Sequence, residues 1–397
     1  MTVQLNHMQQ VAVEKYYDFI KYPQRRKRPW FEISGPAGSG KTFTVKQAMI
    51  HAGIDLEKAL YMAYVGKATL ALRLNGLNAH TIHHLIYDLT NVVDTDENGN
   101  IIYKKTGIPK MKKTFVLKDE LVGNPQQLVA DEAGMIGDNI GKDILSFGVP
   151  LLALGDLNQL PPVMDRRMFL ETPDVTLNEI MRQEKDSPII KLSQYAIKGI
   201  PIRYGIYGNN ECEVIPRSKL SDDHLRQADI VICETNNTRD IINQYIRKNI
   251  QGIDSNRISV GDKLICRQNK WGITLGDSIS LVNGMIGYVT KVYTEPSSSS
   301  VIDIDFRPEF YETDHFKKIG MDANYHFLPY DKRRNVNLMY NDGIAFEFGN
   351  AITCHLSQGS QYNHVLVYVE RPSNSLYFRQ WFYTAITRAM KKLTIVI

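Results

Sequence analysis

The feature that most constrains this chain is a glycine-rich octapeptide near its start, Gly35-Pro36-Ala37-Gly38-Ser39-Gly40-Lys41-Thr42. It follows the apolar residues 30–33 and precedes a helix-like run at 43–51, which predicts a strand, a tight loop and a helix. Glycines in such a loop let successive backbone N–H groups and the next helix N-terminus face a phosphate chain. The pattern therefore predicts a nucleoside triphosphate site, in which Lys41 reaches the β- and γ-phosphates and Thr42 holds Mg²⁺.

Two later apolar runs also end in polar side chains. Residues 127–130 lead into Asp131 and Glu132, and residues 150–154 lead into a loop that contains Gln159. In a parallel α/β sheet the carboxyl ends of the strands share one edge, where ligands bind. Beside a phosphate loop, we expect Asp131 to hold Mg²⁺ and Glu132 to orient and polarise the attacking water, while Gln159 senses the γ-phosphate.

Two further positions near this unit are candidate contacts. Gln9 lies in an amphipathic run from residue 5 to about residue 21, upstream of the phosphate loop. Its side chain is either simply exposed or placed at adenine, because an amide offers both a donor and an acceptor. Lys67 lies at the predicted start of the helix after the strand run 59–65, a position that suits a backbone phosphate of a nucleic acid.

Length, composition and charge limit the class of protein to which this chain can belong. The 397 residues suffice for two or three domains at roughly 100–200 residues each. We expect a cytosolic protein, because no apolar run approaches the ~20 residues of a membrane-spanning helix and residues 1–10 lack signal-peptide character. The four cysteines are widely spaced and predict free, buried thiols. The net charge is only +4, but basic residues cluster at 25–28, 104–113 and 332–334, either as solvated surface or as phosphate contacts.

Two stretches interrupt the α/β pattern. Residues 88–117 combine a polar turn, β-like runs, basic side chains and Tyr103, which predicts an inserted hairpin that is either a solvated surface feature or a nucleic-acid contact. Residues 260–349 contain short strands broken by Gly, Asn and Pro, which suggest a small barrel. A second α/β unit, without a phosphate loop, begins near residue 184 and resumes after this insert.

These blocks together resemble a superfamily 1 DNA helicase of the RecD-like and phage Dda-like group, and the resemblance spans nearly the whole chain. It implies an α/β fold with two RecA-like parallel-sheet domains and ATP in the cleft between them. It also implies a β-hairpin insert, called the pin, in the first domain and an SH3-like β-barrel insert in the second. The implied ranges are 1–87 and 118–183 for the first domain, 88–117 for the pin, 184–259 and 350–397 for the second domain, and 260–349 for the barrel.

The resemblance also implies roles for individual residues. Arg182 and Arg388 match two arginine fingers, whose guanidinium groups stabilise charge in the transition state. The implied catalytic residues are Lys41, Glu132, Gln159, Arg182 and Arg388. The implied nucleotide contacts are Gln9, Gly35, Pro36, Ala37, Gly38, Ser39, Gly40, Lys41, Thr42, Gln358 and Gly359, with Thr42 and Asp131 at the metal. The candidate DNA contacts are Lys67, Thr81, His83, Tyr103, Asn236, Trp271, Asn283, Thr353 and His355, of which Tyr103 and Trp271 are candidates for base stacking.

Two blocks depart from the family pattern. Residues 63–68 read Ala-Tyr-Val-Gly-Lys-Ala where relatives commonly have Ala-Pro-Thr-Gly-Lys-Ala, so a hydroxyl that could donate to a phosphate is missing. Gly134 stands where serine is commoner, without affecting Asp131 or Glu132.

The function implied by the resemblance is ATP- and Mg²⁺-dependent movement on single-stranded DNA, 5′→3′, with unwinding of duplex DNA in replication, recombination or repair. The expected partners are single-stranded DNA and duplex junctions, with a single-strand-binding protein or other replication proteins as further candidates and no membrane. Two alternatives stay open from the residues alone: a translocase or remodelling subunit that does not separate strands, and an RNA helicase. A cytoplasmic location and a phage or plasmid origin are also expected.

Overall fold

The computed structural model describes the chain with gaps. Two of the predicted site residues, Ala37 and Arg182, lie outside the described residues. The described ranges are 5–36, 38–96, 100–103, 106–162, 165–179, 187–253, 257–275, 279–293, 300–336, 338 and 343–397.

The first α/β unit is organised around a parallel sheet with the strand order β3-β2-β6-β7-β1-β8. Its strands are β1 (Trp30–Ser34), β2 (Ala59–Ala63), β3 (Ala79–Thr81), β6 (Gln127–Asp131), β7 (Leu151–Gly155) and β8 (Val175–Thr176). Its helices are α1 (His7–Lys21), α2 (Lys41–His51), α3 (Gly66–Leu74), α4 (Ile82–Ile86) and α5 (Asp138–Ser146). Strands β1, β2 and β7 are buried along almost their whole length, as expected for a parallel sheet covered on both faces. The register pairs Ser34 with Gly155, and the carboxyl ends of β1, β6 and β7 therefore meet at one edge.

A β-hairpin projects from this unit between α4 and β6. Strands β4 (Tyr87–Val93) and β5 (Met111–Leu117) pair antiparallel from Tyr87 opposite Leu117 to Val93 opposite Met111. Isolated bridges between Thr95 and Ile101 and between Tyr103 and Pro109 lie beyond these strands. The hairpin predicted from the sequence is thus present, with much of its apolar surface exposed.

The second α/β unit has the strand order β19-β11-β20-β21-β10-β9 and is parallel except for the antiparallel edge strand β9. Before the insert it contains α6 (Pro188–Lys198), β9 (Gly205–Tyr207), β10 (Cys212–Ile215), α7 (Asp222–Gln227), β11 (Ile230–Cys233) and α8 (Asn236–Tyr245). After the insert it contains β19 (Ala351–Thr353), α11 (Cys354–Ser357), β20 (Tyr362–Tyr368), α12 (Leu376–Ile386) and β21 (Ala389–Val396).

The insert between these halves is mostly β-structure. It contains β12 (Lys263–Cys266), β13 (Lys270–Leu275), β14 (Ile279–Leu281), β15 (Ile286–Val292), β16 (Val301–Pro308), β17 (Phe316–Asp322), α9 (Ala323–Phe327), α10 (Tyr330–Arg333) and β18 (Phe346–Phe348). Five of these strands form an antiparallel sheet in the order β17-β16-β15-β12-β18, and its core includes Phe306, Phe316 and Phe346. The SH3-like barrel and the domain limits read from the sequence stay predictions.

Capping decides where two helices begin. Helix α8 begins at Asn236 because the Thr235 hydroxyl accepts a hydrogen bond from the Thr238 N–H. Helix α1 begins at His7, after a capping box in which the Asn6 side chain accepts from the Gln9 N–H.

The structure also bears on two compositional predictions. The four cysteines, Cys212, Cys233, Cys266 and Cys354, are free and buried, as predicted. In the described part of the chain, no helix combines the length and the apolar character needed to cross a membrane.

Candidate nucleotide site and nucleic-acid contacts

The phosphate loop joins β1 to α2 in the predicted order. Gly38 and Gly40 have φ values of +80° and +78°, a left-handed conformation that glycine adopts at little cost. The Lys41 Nζ donates to the carbonyls of Gly35, at 2.7 Å, and Pro36, at 3.1 Å. The ammonium group therefore lies within the curl of the loop, at the N-terminus of α2, where an anion is favoured.

Gln9 connects α1 to this loop. The side chain is almost fully buried, and its Nε2 donates to the carbonyl of Ser39 at 3.4 Å. Its Oε1 accepts from the Asn6 N–H at 3.0 Å and so completes the capping box of α1. The alternative of a simply exposed glutamine is thus excluded. Because each amide atom keeps a second bonding position, an adenine contact is compatible with this geometry and stays a prediction.

Two carboxylates follow the end of β6. Burial and the neighbouring Glu132 charge raise the pKa of Asp131 to about 6, although Lys41 acts in the opposite direction. Glu132 has a φ of +49°, which is uncommon for a residue other than glycine and turns the chain sharply after the strand. Thr42 and Asp131 line the same cleft and offer the oxygen ligands that Mg²⁺ prefers. These residues fit the predicted metal, which would neutralise phosphate charge when bound with nucleotide.

One cleft between the two α/β units is lined by several of the predicted nucleotide, metal and catalytic residues. It encloses about 640 Å³, a volume typical of ligand sites. The first unit contributes Lys41, Thr42, Lys67, Asp131, Glu132 and Gln159, and the second unit contributes Gly359, Ser360, Gln361 and Arg388.

Arg388 enters this cleft from the second unit, in the turn between α12 and β21. It is 2% exposed. Its guanidinium donates to the carbonyls of Thr384 and Ser360 at 3.1 and 3.2 Å and to the Thr387 hydroxyl at 3.1 Å. These partners are neutral, so they hold the side chain in place without cancelling its charge. That arrangement suits a positive group aimed at phosphate.

Side chains of the second unit form hydrogen bonds with the loop that carries Gln159. The Tyr383 hydroxyl donates to Asp156 Oδ2 at 2.6 Å, and the Leu160 N–H donates to the Thr384 hydroxyl at 3.0 Å. Gln358 Nε2 donates to the Leu160 carbonyl at 3.3 Å. Burial raises the pKa of Asp156. No sequence signal assigned a role to Tyr383 or Thr384, although both precede Arg388 in the same block.

The predicted first-unit DNA contacts occupy different environments. Thr81 is buried at the end of β3, and the His83 ring lies against the rings of Tyr64, Tyr87 and Phe115 at the base of the hairpin. Lys67 instead faces the nucleotide cleft, where its Nζ lies 5.0 Å from the centroid of the Tyr362 ring. Burial lowers the pKa of Lys67 to about 8. The structure therefore places Lys67 between the units rather than on an open surface.

The remaining candidates are dispersed. Trp271 of the insert lies against the first unit, with the Arg73 guanidinium 4.7 Å from its ring centroid and His84 at 6.0 Å. Tyr103 is 58% exposed on the hairpin. The other candidates lie at the first turn of α8 (Asn236), in the turn before β15 (Asn283), at the end of β19 (Thr353) and in α11 (His355). These candidates lie on separate elements, and their contacts with DNA stay predictions.

Three arginines of the basic runs bind within the chain. Arg26 donates to the Phe19 carbonyl at 2.6 Å and lies over the Phe19 ring, and Arg28 pairs with Glu32 and Asp174. In the third run the buried Arg333 pairs with Asp240. These three side chains thus bond to carbonyls, carboxylates or rings of the chain itself, while the two interpretations of the runs, as solvated surface or as phosphate contacts, stay predictions.

Fold and site define a phosphate-loop NTPase in which two α/β units share one nucleotide cleft. A family model described as an AAA domain matches residues 5–204, and one described as a UvrD-like helicase C-terminal domain matches residues 348–396. The chain belongs to the AAA domain family. The match of its C-terminal part to a UvrD-like helicase C-terminal domain agrees with the resemblance to a superfamily 1 helicase. The resemblance inferred from the sequence is thus confirmed at this level.

Individual relatives agree with this assignment. An uncharacterized protein, MJ1519, of Methanocaldococcus jannaschii is 23% identical over 92% of this chain, and the ATP-dependent RecD2 DNA helicase of Deinococcus radiodurans is 23% identical over 90%. The alignments span only 36% and 45% of the lengths of these two relatives. The structure of Pif1 helicase from Bacteroides in complex with ADP-AlF3 and ssDNA aligns with a TM-score of 0.52 at 15% identity, covering 100% of this chain and 92% of that one. This likeness confirms the predicted fold of two RecA-like domains.

Proposed function

We propose that this chain is an ATP-dependent DNA helicase that moves 5′→3′ on single-stranded DNA and separates duplex strands. The observation that carries the proposal is the composition of the cleft, in which Lys41 and Glu132 of the first unit face Arg388 of the second. Hydrolysis in such a cleft depends on the distance between the two units. A nucleotide that closes and then releases the cleft therefore moves one unit against the other.

The loop at residues 156–160 connects the movement of the two units to ATP hydrolysis. Because Tyr383 and Thr384 hold the loop from the second unit, the position of Gln159 depends on how the units are docked. The Gln159 Oε1 is buried without a hydrogen-bond partner among the described residues, so it is available for a water or a phosphate-bound proton. We propose that DNA binding across both units aligns this loop with Arg388. Hydrolysis then depends on bound single-stranded DNA.

The hairpin is the proposed wedge at the fork. Its exposed apolar side chains include Leu89, Tyr103, Phe115 and Val116. Stacking of a base on an aromatic ring contributes about 1–3 kcal/mol without reading sequence. The DNA substrate is supported by the relatives, since RecD2 is named a DNA helicase and the similar Pif1 structure contains ssDNA. The 5′→3′ direction rests on the resemblance to the RecD-like group.

The first test is ATP hydrolysis with and without single-stranded DNA, alongside Lys41→Ala. We expect the strand to stimulate hydrolysis, and Lys41→Ala to lower the stimulated rate by about 10²-fold, because it removes a cation that stabilises phosphate charge. Lys142→Ala is the matched control, since Lys142 is exposed on α5 of the same unit. Displacement of duplexes with a 5′ or a 3′ tail then gives the direction. Absence of stimulation by DNA would contradict the proposal, and stimulation by RNA alone would identify an RNA helicase.

The Tyr103→Ala variant tests whether duplex unwinding can be lost while movement along single-stranded DNA is kept. We expect unwinding of a forked duplex to fall by about fivefold or more, because about 1 kcal/mol or more of stacking at the junction is lost. The rate of ATP hydrolysis with single-stranded DNA should stay within about twofold, since Tyr103 lies far from the lining of the nucleotide cleft. Tyr204→Ala is the matched control, because Tyr204 is 61% exposed in the second unit, close to the 58% of Tyr103. Equal losses of unwinding and hydrolysis in Tyr103→Ala would refute the wedge.

A further inference from the structure

Arg167 lies beneath the loop that carries Gln159, and neither the family resemblance nor the sequence pattern assigns it a role. The side chain is 8% exposed. Its NH1 group donates to the Leu157 carbonyl at 3.0 Å, and its NH2 group donates to the Gln159 carbonyl at 2.7 Å. One guanidinium therefore spans the loop and holds the backbone of the predicted γ-phosphate sensor itself.

Other contacts hold N–H groups of this loop. The Leu157 N–H donates to the Ser34 hydroxyl at 3.1 Å, and the Asn158 N–H donates to Asp156 Oδ1 at 3.0 Å. Arg167 supplies donors to the carbonyls of Leu157 and Gln159. Both the N–H and the carbonyl groups of the loop are thus held, as a rigid support for a reacting group requires.

Arg167 also lies beside the turn that follows Glu132. Its backbone forms an isolated antiparallel bridge with Gly137, and a Cβ atom added to Gly134 would lie 3.7 Å from Arg167 Cζ. Glu132, at the start of this turn, has a left-handed conformation, which carries a backbone cost that neighbouring contacts must offset. Arg167 therefore binds the loop of Gln159 and lies next to the turn after Glu132.

A purely structural explanation does not account well for a charged side chain here. Burial lowers the pKa of Arg167, which shows that the charged form is poorly solvated. Its hydrogen bonds go to two carbonyls, the charges of Asp156 and Glu171 only partly offset the desolvation, and its Nε is buried without a hydrogen-bond partner among the described residues. An apolar side chain of similar length would fill this space at lower desolvation cost. An apolar side chain could not supply the two separated N–H donors of the guanidinium group.

We propose that Arg167 is a positioning residue for ATP hydrolysis, which aligns the loop of Gln159 with the turn after Glu132 so that both side chains meet the same γ-phosphate. The inference rests on the proposed ATPase function and deepens it. Arg167 does not contact the nucleotide in this account, since it is absent from the lining of the cleft. Its effect is on turnover, and nucleotide binding should be preserved.

The test compares Arg167→Gln and Arg167→Lys with Arg166→Gln, in the full chain with single-stranded DNA. Arg166 is the matched control, because its side chain is 72% exposed and pairs only at the surface with Glu171. We expect Arg167→Gln to lower kcat by about 30- to 100-fold, since small displacements of a catalytic group cost up to about 10²-fold, with KM for ATP within about threefold. Arg167→Lys keeps the charge but loses the fork, so we expect a smaller loss of about tenfold. Arg166→Gln should match the wild type.

A double-mutant cycle distinguishes positioning from a general loss of structure. If Arg167 acts through Gln159, adding Arg167→Gln to Gln159→Ala should lower kcat by less than about threefold further. Full additivity of the two losses, or Arg167 variants that behave like Arg166→Gln, would overturn the inference. If Arg167→Gln does not unfold cooperatively in a thermal melt, Arg167→Lys is used in the same cycle with the same criterion. A wild type without DNA-stimulated hydrolysis would instead contradict the proposed function.

Discussion

Replacing Glu132 by glutamine should lower DNA-stimulated ATP hydrolysis by about 10³-fold or more, within the range of about 10²–10⁴ that a positioned general base contributes. The amide keeps the shape of the side chain but cannot accept the proton of the attacking water. Glu132 lines the same cleft as Lys41 and Thr42, which are the expected phosphate and metal contacts and which the substitution leaves unchanged. Affinity for ATP should therefore stay within about threefold.

Single-turnover hydrolysis and binding of a fluorescent nucleotide measure the two effects separately. Glu171→Gln is the control, because Glu171 is 53% exposed on the same unit and pairs with Arg166 at the surface. A Glu132→Gln variant that hydrolyses ATP at a rate close to that of the wild type would show that another group activates the water. A parallel loss of nucleotide binding would instead indicate that the turn after β6 had collapsed.

The nucleotide site was predictable because its geometry is local. The conformations of Gly38 and Gly40 and the position of Lys41 follow from eight consecutive residues that connect a strand to a helix. Asp131 could be placed beside them because adjacent parallel strands end at one edge of a sheet. In both cases, short-range backbone rules fix where the side chain goes.

The contacts that cross between units were not predictable in the same way. Lys67 and Trp271 stay predicted DNA contacts, but the sequence did not indicate that Lys67 also lines the nucleotide cleft or that Trp271 packs against Arg73. The partners of both lie far away in sequence, so no periodicity or spacing reports them. Arg167 shows the same limit, because its role depends on carbonyls exposed by a loop that contains no regular pattern.

Helix limits illustrate an intermediate case. The start of α8 depends on a hydrogen bond from the Thr238 N–H to the Thr235 hydroxyl. Asn236 lies in the first turn of this helix. A threonine before a polar run is a recognisable capping signal, so this limit could have been read from the sequence. The pairs of Arg28 with Asp174 and of Arg333 with Asp240, in contrast, depend on tertiary contacts.

Arg388→Ala should lower the DNA-stimulated kcat by about 10³–10⁵-fold, the range attributed to arginine fingers. The reason is geometric and electrostatic. Arg388 comes from the second unit, lines the cleft that contains Lys41 and is held by neutral oxygens, so its charge remains available to phosphate. Charge on the transferring phosphoryl group is greatest in the transition state, and nucleotide affinity should therefore change far less than kcat.

Because Arg388 is buried, its removal must be separated from a loss of packing. Arg388→Lys keeps a positive charge but not the fork that bonds Thr384 and Ser360 together, so we expect it to recover only part of the rate. Arg226→Ala is the control, since Arg226 is 55% exposed in the same unit and pairs with Asp223. If Arg388→Ala loses thermal stability and nucleotide affinity in proportion to kcat, the residue supports the fold of the second unit. If kcat alone falls, the second unit supplies the charge that makes hydrolysis depend on closure of the cleft.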